Sequence, residues 1–207
     1  MEYEHVTEFL YQPQAVMATY GNGLTGGLSV VAGARGVEIV PIYDGEEIER
    51  SKFFSPFGGE IMQERMRVFL RDERDRPLNS FSEKEFLRLA MQNNAVFNGV
   101  PKVDEVVLPD GGRINLSDGL RVCSRAIIPE YLPISKSLQS CDKDLLESGV
   151  FSQCVFSGGL SNMTNFNQEC ISSIKDAFID IRQNRKIWST RATHRNMRIS
   201  SFTQPGF

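Results

Sequence analysis

Six glycines fall within sixteen residues of this chain, at 21, 23, 26, 27, 33 and 36. That density rules out a helix across the segment, because an interior glycine costs about 1 kcal/mol relative to alanine. What remains between the glycines is short and apolar. LSVVA and VEIVPIY read as strands or extended pieces separated by turns, and residues 1–58 show no helical period. The same segment is acidic: over residues 1–50, Glu2, Glu4, Glu8, Glu38, Asp44, Glu46, Glu47 and Glu49 face only Arg35 and Arg50. The expectation is an extended, Gly-rich acidic arm over 1–58.

The period changes at Gly59. In GEIMQERMRVFLRDE, Met62, Met66 and Phe69 recur at helical spacing, with Glu60, Glu64, Arg67 and Arg71 on another side. Pro77 closes that helix. A second helix is predicted over 83–92, opened by a capping box of Ser82 and Glu85 and carrying Phe86, Leu89 and Ala90 on its inward face. VDEVVLPDGGRINLSDGLRVC then reads as a hairpin turning at Pro109-Asp110-Gly111-Gly112. CDKDLLES suits a short helix ended by Gly149. A long helix over 168–188 presents Ile174, Phe178, Ile181 and Trp188 on one face. Together these elements predict an α+β chain: a small irregular mixed domain with three or four amphipathic helices and a β-hairpin. Its core spans 59–188, between the arm of 1–58 and a basic tail of 189–207.

Composition limits the function classes. A hydrophobic fraction of 41% with 24% charged residues is that of a globular protein. The net charge of −3 argues against a dedicated nucleic-acid binder, for which a basic excess is the usual footprint. MEYEHVTEFLYQ lacks the positive and apolar regions of a signal peptide, and no window approaches 18 uninterrupted apolar residues. The expected location is therefore intracellular: cytoplasm, organelle interior or virion.

Catalytic signatures are sparse. His5 and His194 sit near opposite ends, a poor basis for a preorganised nucleophile and base. Neither CxxC nor HExxH occurs, and the Glu46, Glu47, Glu49 turn reads as solvated, so no metal is expected. YGNGLTGGLSVVAGARG and FSGGLSNMTN are glycine-rich but lack the Gly-Lys-Ser/Thr ending of a phosphate loop. Asp176 and Asp180 lie one helical turn apart beside Lys175 and Arg182, the pattern of a solvated face. No catalytic residue and no bound cofactor are assigned on these grounds.

Cysteines occur at 123, 141, 154 and 170, with spacing unlike a zinc ribbon or a redox pair, and in a reducing compartment they are expected to be free thiols, mostly buried. Cys123 in RVCSRA and Cys141 in QSCDKD stand beside polar residues, which makes them the positions for any covalently attached chromophore. NSFSEKEFLRLAMQNNAVF, residues 79–97, resembles the Ser/Thr-x-x-Glu-Phe-apolar-Arg-x-x-Ala helix of phycobilisome linker proteins. The likeness covers under a tenth of the chain. It implies a light-harvesting linker with bilins on scattered cysteines.

Opposite charge at opposite ends leads the functional reading. Arg182, Arg185, Lys186, Arg191, Arg195 and Arg198 follow residue 180 with no acidic residue after them, and charge of opposite sign steers association between subunits. The sequence thus predicts a non-enzymatic assembly, linker or scaffold subunit of a large complex. In that reading Arg191, Arg195, Arg198, Phe202 and Phe207 dock onto an acidic protein surface. Two other classes stand beside it: an enzyme or small-ligand protein without a short motif, and a nucleic-acid contact through the basic tail.

Overall fold

The computed structural model describes residues 11–73, 81–94, 96, 105–108, 111–124, 132–185 and 200–203. It is a mixed helix-and-sheet structure, as the α+β expectation required. Its centre differs from that expectation. The glycine-rich segment supplies the middle of a six-stranded sheet rather than an arm.

Strand β1 (Gly27–Ala32) pairs antiparallel with β2 (Val37–Tyr43), with Ala32 opposite Val37. On its other edge β1 runs parallel to β7 (Gln153–Ser157), with Val31 opposite Ser157. Beyond β7 lies β8 (Ser200–Thr203), also parallel. The far edge of β2 is shared by β3 (Glu46–Glu47), opposite Ile42 and Tyr43, and β4 (Phe53–Ser55), opposite Val37 to Ile39. All six residues of β1 are buried, as a strand covered on both faces must be.

Alternation along β1 and β2 sorts the two faces. Leu28, Val30, Ala32, Val37 and Ile39 join the main core, while Val31, Val40 and Ile42 pack with Ala15 and Val16 of α1 (Gln14–Gly21). Helix α1 is absent from the sequence reading. Its buried side chains are small, Ala15, Val16, Ala18 and Thr19, and Met17 and Tyr20 point outward, so it presents little apolar period to detect.

The main core is closed by helices from the rest of the chain. Helix α2 (Gly59–Glu73) buries Met62, Met66 and Leu70, close to the expected stripe. Helix α3 (Phe81–Asn94) buries Leu87 and Met91 and packs Phe86 and Ala90 against the core as expected, while Leu89, also expected inward, is exposed. The side chain of Ser82 lies outside the described residues, and Glu85 is committed to Arg88, three positions along the same helix.

Strands β5 (Glu105–Val107) and β6 (Arg113–Asn115) form the expected hairpin, with Gly111 at φ 82°. Helix α4 (Leu116–Ser124) follows directly and packs on α2. There, a β-carbon on Gly119 would meet the Met66 sulfur at 2.6 Å. Helix α5 (Ile134–Gln139) is tied to the turn before β4, where the buried Ser137 hydroxyl donates to the Ser51 carbonyl at 2.6 Å. Helix α6 (Lys143–Ser148) stops at Gly149, which is left-handed as a helix-ending glycine is.

The last helix, α7 (Phe166–Arg185), buries Ile174, Phe178 and Ile181; Trp188 lies outside the described residues. The small irregular mixed domain of the sequence reading is therefore corrected to helices packed around a six-stranded sheet, with β5–β6 as a separate two-stranded sheet. Among the described residues, no helix is long and apolar enough to cross a membrane.

Candidate functional site

Three turns meet at one end of β1, and each turn carries glycine for a reason of space. The first is the β1–β2 hairpin turn, where Gly33 N–H donates to the Gly36 carbonyl at 2.9 Å. The second is the entry to α2. Here Gly59 N–H donates to Gly33 O at 3.1 Å and Glu60 N–H to Ala34 O at 2.8 Å. Two of the donors that a helix start leaves unsatisfied are thus capped by the hairpin turn itself.

The third turn follows β7. Gly158 has φ 90°, and a β-carbon on it would lie 2.3 Å from the Ala32 carbonyl oxygen. Parallel pairing of β7 with β1 forces this approach, since it sets Ser157 opposite Val31. A 3-10 turn over Gly159–Asn162 follows, and its Ser161 hydroxyl donates back to Gly158 O at 2.7 Å.

Where the turns converge there is a cavity of about 180 Å³. Gly33, Ala34, Gly59 and Gly159 contribute largely backbone to it, and Met62, Met91, Leu160 and Met163 contribute apolar side chains. Gln63 of α2 and Arg88 of α3 complete the lining. The three methionines are buried, whereas a β-carbon on Gly159 would meet nothing within 4 Å. Arg88 grips Glu85 through two nitrogens, Nε at 2.9 Å and Nη2 at 2.6 Å. That contact holds the Glu85 carboxyl below its ordinary range and raises the guanidinium.

The residues singled out from the sequence are not brought to this junction. Cys123 and Cys141 are core residues, 0% and 3% exposed, not surface thiols among polar neighbours. Burial pushes the Cys123 thiol up to about 12, and Cys141 donates to Ser137 O at 3.4 Å. A thiol buried and protonated in this way is neither nucleophilic nor open to a bulky chromophore. All four cysteines are free and buried, which meets the expectation of mostly buried free thiols and leaves the chromophore alternative at Cys123 and Cys141 without an accessible sulfur.

Phe202 belongs to β8, paired with Val155 of β7, so its backbone is part of the sheet and not of a free tail. Arg191, Arg195, Arg198 and Phe207 lie outside the described residues, as do His5 and His194. In the acidic turn, Glu47 is bound by Lys52 at 2.8 Å, and Lys52 reaches Glu38 at 3.4 Å. Asp176 and Asp180 are exposed. Among the described residues no group of three or more His, Cys, Asp or Glu is placed to hold a metal ion.

Comparison with known proteins gives this geometry a family. Residues 1–106, just over half of the chain, match the family model described as Actin. The chain belongs to the actin family. It is also similar to putative actin-29 of Dictyostelium discoideum, at 23% identity over 196 residues covering 84% of this chain and 49% of that protein. This actin-family chain spans about half the length of the curated relative it matches.

The family match overturns the linker and scaffold reading, together with the phycobilisome-linker likeness. Residues 79–97, which carried that likeness, fall inside the actin match. Their pattern is one that any amphipathic helix of this length produces. Seven of the ten residues lining the junction cavity also lie within the matched span. The signal that could have located the site was the glycine pair at 58–59 together with the one at 158–159, each directly after a strand-like piece.

Proposed function

We propose that this chain is an actin-like protein that binds a ligand at the junction of its three glycine turns and performs no metal-dependent phosphoryl transfer. The actin family implies ATP with a divalent cation, and the residues present here do not fit that pair. A hard cation needs carboxylate or other oxygen ligands close to the phosphates. Among the described residues that line the cavity there is no Asp or Glu.

Phosphate oxygens also need backbone N–H groups turned toward them. Gly33, Gly59 and Glu60 instead spend theirs on carbonyls within the junction. Arg88, the cationic residue of the lining, is held by Glu85 in an exposed ion pair. The single observation that carries the reading is this donor set: a junction of glycine turns whose lining is mainly apolar and holds no carboxylate.

An intracellular setting belongs to the same proposal. Four free, buried cysteines suit a reducing compartment.

Phosphate release from ATP, followed with and without Mg²⁺, tests the reading on the full chain. The expected result is release indistinguishable from a protein-free blank, and no difference in ATP affinity on adding EDTA. Release that scales with protein concentration and stops with EDTA overturns it.

A further inference from the structure

We infer that a second recess, formed by the end of the turn after β7, the start of α7 and β8, is a binding site for a neutral saccharide. It is separate from the junction cavity and goes beyond the proposal above. Of the described residues that line the two, Met163 alone is common to both.

The lining chemistry points to the ligand. Asn162, Asn165, Asn167 and Gln168 bring carboxamides, Ser161 and Ser201 bring hydroxyls, and none of the described lining residues is ionisable. A carboxamide sets two donors beside an acceptor oxygen. Sugar hydroxyls both donate and accept, so neighbouring hydroxyls of one ring meet a partner of either sense. A charged guest would surrender its hydration with no counter-charge among these residues to replace it.

The recess measures about 400 Å³ and is open to solvent on one side, within the roughly 300–1,000 Å³ of small-molecule clefts. Openness suits a sugar, since the ring is held by one face and edge while its outer hydroxyls stay in water. Met163, buried, and Ile171, partly buried, supply apolar surface for the C–H face of that ring.

Part of the polar lining is already fixed. The Ser161 hydroxyl donates to Gly158 O at 2.7 Å, which leaves its oxygen to accept. Asn165 is left-handed at φ 70°, and its carbonyl accepts from Glu169 N–H at 3.1 Å as α7 begins. Groups carried on set backbone lower the ordering cost of binding.

Titration of full-length ¹⁵N-labelled protein with glucose, galactose, mannose and maltose tests the inference through the side-chain amide NMR signals of Asn162, Asn165 and Gln168. Saturable shifts with at least one sugar are expected, unchanged by EDTA or added salt, with the Asn22 amide on α1 unmoved. Asn165→Gly keeps a residue suited to φ 70° and removes one carboxamide, and Gln168→Ala alters an exposed side chain. Each variant is expected to weaken binding about five-fold with its urea midpoint close to wild type. Absence of saturable shifts with all four sugars in the folded protein overturns the inference, as do shifts undiminished in both variants. A blocked dipeptide, N-acetyl-glycyl-glycine amide, that saturates the same signals at lower concentration than every sugar overturns it in favour of peptide main chain.

Discussion

The α-carbon of Gly58 faces the carbonyl of Ala34 so closely that a β-carbon there would lie 2.4 Å from its oxygen. The same β-carbon would meet Gly36 N at 2.3 Å, and both obstacles are backbone atoms that cannot swing aside. Gly58→Ala is therefore expected to destabilise the fold by about 2–3 kcal/mol through overpacking. Gly159→Ala, with nothing within 4 Å, should stay within about 0.5 kcal/mol of wild type or gain slightly from the stiffer unfolded chain. Urea unfolding of the two variants side by side checks this, and equal midpoints would contradict the packing described.

Lys52 is the counter-charge of a carboxylate that has little access to water. The Glu47 side chain is 6% exposed, and its Oε1 is buried with no hydrogen-bond partner in the structure. Lys52→Met leaves that charge uncompensated and is expected to cost about 2–3 kcal/mol, toward the low end for a broken buried pair because Lys52 itself is partly exposed. Adding Glu47→Gln should recover at least half of the loss, a coupling that a double-mutant cycle measures directly. Additive losses in the double variant would show that the pair carries no interaction energy.

Stability should fall on the alkaline side. Burial raises the thiols of Cys123, Cys154 and Cys170 from 9.0 to about 12, so the folded protein holds these protons more tightly than the unfolded chain does. Their contribution is complete below about pH 9 and declines as pH rises toward 12. The slope is on the order of 1.4 kcal/mol per pH unit for each thiol. Lys52 acts in the same direction at higher pH, since its hydrogen bond to Glu47 raises it above 10.5. Urea midpoints at pH 7, 9 and 10.5 should drop only across the last interval, and Cys123→Ala should shrink that drop. A midpoint flat to pH 10.5 would contradict the burial of these thiols.

Local periodicity made α2, most of α7 and the β5–β6 hairpin legible, because each is built from residues close in sequence whose apolar spacing survives intact. Helix α3 was legible in extent and partly in facing: Phe86 and Ala90 pack against the core as their spacing suggested, but Leu89 does not, and Leu87 and Met91 are buried instead. The sheet was not legible beyond its strands. Nothing in LSVVA or QCVFS announces that the two run parallel side by side, since parallel pairing leaves no turn signature in the intervening chain.

The site was hidden for a related reason. A search for one contiguous phosphate loop inspects YGNGLTGGLSVVAGARG and FSGGLSNMTN separately and finds each incomplete. The junction exists only once Gly33, Gly59 and Gly159 are gathered by β1, α2 and β7. The cysteines were legible: free, buried thiols are what the sequence led one to expect, and all four are so placed.

Strand β1 meets β2 after a turn of four residues, but its other neighbour is not made until residues 153–157. During synthesis, the apolar ribbon GLSVVA must therefore leave the ribosome with one row of amides and carbonyls bare while the residues between β2 and β7 are still being translated. Contacts of such long sequence separation also slow the search for the native state. The half-made chain is thus the form most open to edge-to-edge misassembly, and a chaperone that shields β1 would act before the last strands arrive.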